Sequence, residues 1–95
     1  MDCSDIQLSK HAFKRMFERQ ISPEAVFHVA REGEIINHYP DEQPYPAWLL
    51  LGFWQEQPIH LVLARDEENG ACWIVTVYRP DPGQWDGTFR RRKSS

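Results

Sequence analysis

His11, Arg15 and Arg19 recur at four-residue intervals, so on a helix of 3.6 residues per turn they form one polar stripe. One titratable imidazole then lies beside two permanent cations. An imidazole exchanges a proton near neutral pH, and guanidinium groups grip phosphate in a planar, bidentate manner that ammonium groups do not match. The set suits metal-free cleavage of a phosphodiester, although a solvated helix face is the commoner meaning of such a stripe. Towards the other end of the chain, strand alternation sets Cys72, Ile74, Thr76 and Tyr78 on one side and Trp73, Val75, Val77 and Arg79 on the other. Thr76 and Tyr78 could together hydrogen-bond a phosphate or a 2′-hydroxyl, with Tyr78 also free to stack on a base. Ordinary strand propensity accounts for the same two residues. Arg79 and the successive Arg90, Arg91, Arg92 and Lys93 offer phosphate contacts, since each neutralised phosphate releases counterions; a terminal basic run also serves simply to solubilise.

Other chemistries lack their residues. His11, His28, His38 and His60 have no short ligand spacing and no partnering cysteine pair, so no metal site is expected. A glycine-rich phosphate loop and a Gly-x-Ser-x-Gly elbow are both missing, and no cofactor is expected. Trp48, Trp54 and Trp73 lie in apolar runs and read as core. Tyr39 and Tyr45, in a proline-rich stretch, are freer to contact a partner.

The elements that must hold these groups follow from the pattern. A helix is expected over residues 9–20, with Ser9 as its cap and Phe13, Met16 and Phe17 at helical spacing. Ser22 and Pro23 can start a second helix through Glu32, with Gly33 as its stop. The period then changes. Strands are expected over residues 34–38, 47–54, 59–65 and 71–79, with Asn69-Gly70 as a hairpin turn and a simple meander order. Pro80-Asp81-Pro82-Gly83 ends the sheet, and Trp85 and Phe89 fold back onto the domain. The expected fold is α+β: two N-terminal helices packed on a roughly four-stranded antiparallel sheet, with a basic C-terminal tail.

The 95 residues have room for one core, so a single domain over residues 1–95 is expected, with the first eight residues and the last few flexible. The longest apolar stretch, residues 47–54, is far short of a membrane span, and the acidic start is unlike a secretory signal. A cytoplasmic protein with Cys3 and Cys72 as reduced thiols is the expectation. Net charge is −3, from 11 Lys and Arg against 14 Asp and Glu, which argues against indiscriminate nucleic-acid binding. Base is concentrated in residues 10–19 and 90–93, and acid in the middle of the chain.

The segments SKHAFKRMFERQIS, VAREGEIINHYPDEQPYP and IVTVYRPDPGQW, in that order, resemble a small bacterial and archaeal family of unknown function. It looks like a branch of the RelE/MqsR-like ribonuclease superfamily, often encoded beside zinc-finger antitoxins of the YgiT kind. The resemblance implies helices on a four-stranded antiparallel sheet and metal-independent RNA cleavage by 2′-hydroxyl attack on the adjacent phosphate. His11 would then be the acid or base, Arg15 would stabilise charge on phosphorus, and Tyr78 would complete the catalytic set. Arg19, Thr76, Arg79, Arg90, Arg91 and Arg92 would bind RNA. The implied partners are RNA and a cognate zinc-finger or DNA-binding antitoxin, with no membrane. Two other readings keep the fold without cleavage: a protein-binding module that uses the acidic middle, and a nucleic-acid-binding regulator.

Overall fold

The computed structural model describes residues 1–94. Ser9 and Ser22 each adopt extended backbone angles and turn a hydroxyl oxygen onto the amide three residues on, Ala12 at 3.0 Å and Ala25 at 3.2 Å. These bonds satisfy amides that have no intrahelical partner. Helix α1 (Lys10–Glu18) buries Ala12 and Met16, and helix α2 (Pro23–Glu32) buries Ala25, Val26, Val29 and Ala30. Pro23 sits at the start of α2, where a missing N–H costs nothing.

Strands β1 (Asp5–Leu8), β2 (Glu34–Tyr39), β3 (Ala47–Trp54), β4 (Gln57–Arg65) and β5 (Ala71–Tyr78) form one sheet in the order β1-β5-β4-β3-β2. The chain therefore adopts the expected α+β class, with two helices ahead of an antiparallel meander. The sheet is larger than expected by β1, which lies parallel to β5, from Asp5 beside Ala71 to Leu8 beside Ile74. Ile6 and Leu8 pack against the core, so Asp5–Leu8 form an edge strand of the sheet. A three-residue apolar alternation pairing with a strand some 65 positions away leaves little local signal.

The same pairing corrects the thiol expectation. With β1 on β5, Cys3, just ahead of β1, comes to a Cα distance of 5.6 Å from Cys72, within the usual bridging range, and the two residues form a disulfide. That bond ties the residues leading into β1 to β5.

Turn chemistry fixes the hairpins. Gln55 and Glu56 both take positive φ, 52° and 67°, as a two-residue primed turn requires, so β4 begins at Gln57, two residues earlier than its apolar run suggests. Gly70 has φ 77° at the next turn.

Both helices pack on one face of the sheet, over Leu50, Ile59, Leu61, Leu63, Cys72, Ile74 and Val77. At Gly52 the approach is so close that an added Cβ would stand 2.7 Å from a Val29 methyl of α2. On β5 the faces differ from simple alternation. Val62 pairs with Thr76 but Leu63 pairs with Ile74, so Val75 is an extra, bulged residue that reverses the faces beyond it. Cys72, Ile74 and Val77 thus face the helices, while Trp73, Thr76 and Tyr78 face the other way. Residues 80–93 return across this second face as a strap, with Trp85 bridged to Arg92 and only 7% exposed. No helix among the described residues is long and apolar enough to cross a membrane.

Candidate functional site

Alternation along β4 turns Ile59, Leu61 and Leu63 towards the helices, so His60 projects from the opposite face, directly across from Tyr78. The strap then covers it completely; His60 is 0% exposed. A buried imidazole needs partners for both nitrogens. Nε2 lies 2.8 Å from the Phe89 carbonyl oxygen and Nδ1 lies 3.1 Å from the Tyr78 phenol. A carbonyl only accepts, so Nε2 carries the proton and neutral Nδ1 accepts from the Tyr78 O–H. Burial lowers the His60 pKa, partly offset by the bond to Phe89. Trp85 meets the imidazole edge-on, with ring centres 4.4 Å apart, and the Arg92 guanidinium lies 5.4 Å over the same indole.

Burial raises the Tyr78 pKa, the nearby Tyr39 phenol raises it further, and Arg92 and Arg19 pull it down. The phenol is therefore a protonated donor at neutral pH, placed where two guanidinium groups act on it. Two grooves of about 400 and 390 Å³ meet here and share Tyr78, Trp85 and Arg92. The first also takes in Arg19, Arg79, Asp81 and Gln84. The second adds Tyr39, Asn37, Arg90 and Arg91 from the β2 side.

The surrounding bonds hold this arrangement. Arg19, just past the end of α1, donates to the Val77 carbonyl at 2.8 Å, and Arg79 donates back to the carbonyls of Arg19 and Gln20 at 2.6 and 3.2 Å. These crossed bonds tie the end of α1 to the end of β5. Arg90 makes a bidentate pair with Glu34 of β2, both contacts 2.8 Å, which anchors the strap on the far side. That pairing lowers the Glu34 pKa and raises that of Arg90. Asp86 organises the strap's turn through Thr88 and the Arg90 amide, and the Thr88 hydrogen bond lowers its pKa.

The structure thus brings Tyr78, Arg19, Arg79 and Arg92 into one groove and Arg90 and Arg91 into its neighbour. Thr76, two residues before Tyr78 on the same face, lines a third groove that also shares Tyr39. His11 and Arg15 are not part of this gathering. His11 is exposed near the start of α1, two turns and about 12 Å from Arg19, and lines none of these grooves. Arg15 pairs with Glu18 at 3.1 Å. Helical spacing aligns the three residues, but α1 packs on the sheet's other face and only its C-terminal end reaches the edge where Tyr78 lies.

His60 is the group that spacing does not reveal. It stands in an apolar run, 18 residues from Tyr78, and only the β4–β5 register joins them. A polar residue on the non-helix face of an otherwise apolar strand is its one signal in the sequence. Among the described residues, no three His, Cys, Asp or Glu side chains converge as metal ligands would.

No curated protein and no solved structure matches the chain. The family described as Domain of unknown function (DUF4258) matches residues 8–79, which include both helices and the last four strands. On that match, which ends just short of the strap, the chain belongs to this family.

Proposed function

We propose that the protein is a metal-independent endoribonuclease of the toxin–antitoxin kind, acting on single-stranded RNA, with a zinc-finger or DNA-binding antitoxin as its protein partner. The observation that carries this reading is the Tyr78–His60 hydrogen bond, set among arginines and held at its far end by the Phe89 carbonyl. The attacking 2′-hydroxyl gives its proton to Tyr78 Oη as the phenol's own proton moves to His60 Nδ1. The 2′-oxygen bonds to phosphorus and the P–O5′ bond breaks. The same pair then returns a proton to the departing 5′-oxygen, leaving a 2′,3′-cyclic phosphate and a 5′-hydroxyl. The Phe89 carbonyl steadies the transient imidazolium, and Arg19 and Arg92 face the charge that builds on the phosphoryl oxygens. Proton transfer on this reading belongs to His60 and not to His11.

Tyr78→Phe keeps the ring and removes only the proton path, so cleavage of single-stranded RNA by purified protein should fall roughly 100- to 10,000-fold. The expected product carries a cyclic phosphate, formed equally well with a chelator present. Absence of cleavage by the unaltered protein, together with normal growth of cells expressing it, would overturn the reading in favour of a binding module.

A further inference from the structure

Next to the arginine-lined grooves, and sharing Tyr39 with one of them, the open face of the sheet carries a groove of about 400 Å³ with different chemistry. Tyr39, Pro44 and Tyr45 form its walls and Val62 and Val75 its floor, with the Thr76 hydroxyl on the side nearest Tyr78. None of the residues that line it is Lys or Arg, and its one charged residue, Glu42, is acidic and would repel a phosphate while accepting from a base amino group. Tyr45 is held in place by stacking on Trp73, ring centres 5.2 Å apart and planes 5° from parallel.

We infer that this groove is the subsite for one unpaired nucleobase of an RNA strand whose phosphate lies at Tyr78. The inference rests on the ribonuclease reading of that cleft. A neutral planar group is what aromatic walls without cations accept, whereas a phosphate belongs beside Arg91 and Arg92. Thr76 and Tyr78, two positions apart on one strand face, are separated by about 6.6 Å, which is comparable with the reach from a phosphate to its own base. Aromatic walls accept any base by stacking, and the Thr76 hydroxyl, both donor and acceptor, can meet a base edge. An apolar peptide side chain would also fit the groove. The arginine cluster on its flank favours a polyanionic strand as the occupant.

The test uses 2′-O-methyl RNA hexamers, which lack the attacking hydroxyl, so that affinity is read without cleavage. Intact hexamers are compared with hexamers carrying one abasic position, moved along the strand. One abasic position should weaken binding about tenfold. Tyr39→Ala should weaken the intact hexamer by a similar factor, with little further loss on the abasic one, while Tyr39→Phe keeps full affinity. If Tyr39→Ala does not fold, Val75→Trp fills the groove from an exposed position and carries the same expectation. Equal loss on intact and abasic strands, or no sensitive position, would overturn the subsite. Cleavage of the all-ribose hexamer separates the two ideas. Cleavage without any abasic effect sinks the subsite alone, and an abasic effect without cleavage sinks the ribonuclease reading alone.

Discussion

A buried neutral imidazole couples the fold to pH through one residue. Because burial lowers the His60 pKa beneath its ordinary 6.5, the unfolded chain takes up this proton before the folded one does. The stabilising effect of a neutral His60 is therefore complete above about pH 6.5 and is lost as pH falls from there towards the lowered value. Glu34 and Asp86 have lowered pKa values as well, and their contribution is lost only at more acidic pH. Denaturant midpoints between pH 7 and 5 should decline for the unaltered protein, and His60→Gln should flatten that decline. An unchanged slope would place the sensitivity elsewhere. At this scale the sequence was half legible. Tyr78, Arg19, Arg79 and Arg92 could be named from residue type and position. His60 could not, because its role depends on which residue of β5 lies across from it.

Among the elements, the contact between α2 and β3 is set by a missing side chain. A Cβ at Gly52 would meet two methyls of Val29, at 2.7 and 3.0 Å, and a β-branched residue in a helix has little rotamer freedom with which to yield. Gly52→Ala is expected to destabilise the fold by about 1–3 kcal/mol, read as a lowered thermal midpoint. An unshifted midpoint would mean that α2 can move away at little cost. The helices were legible because their caps and apolar spacing are local. The faces of β5 were not, since one bulged residue, Val75, reverses everything after it and leaves no mark in composition. Without that bulge Tyr78 would point into the helix layer and the cleft would not form.

For the molecule as a whole, net charge misleads where placement informs. The chain is acidic overall, yet Arg19, Arg79, Arg90, Arg91 and Arg92 gather on adjoining grooves from opposite ends of the sequence. If Arg92 meets a phosphate, Arg92→Ala should weaken RNA binding at every sequence alike and reduce the slope of log affinity against log salt by about one. An unaltered slope would show that its place over Trp85 is purely structural. The class of the fold was readable from the order of helical and strand patterns. The fifth strand and the disulfide were not, because both join residues near the start of the chain to β5.

The strap also has a bearing on when the protein becomes what it is. Domains begin to fold during synthesis, N-terminal parts first, and here the helices and sheet are encoded before residue 79 while the Phe89 carbonyl and Arg92 come afterwards. A scaffold assembled before the strap docks therefore leaves His60 short of a partner at Nε2 and the cleft open on one side. The ring of contacts around Tyr78 closes only when Trp85, Phe89 and Arg92 have docked on the open face of the sheet, so the cleft depends on a step that the scaffold itself does not need.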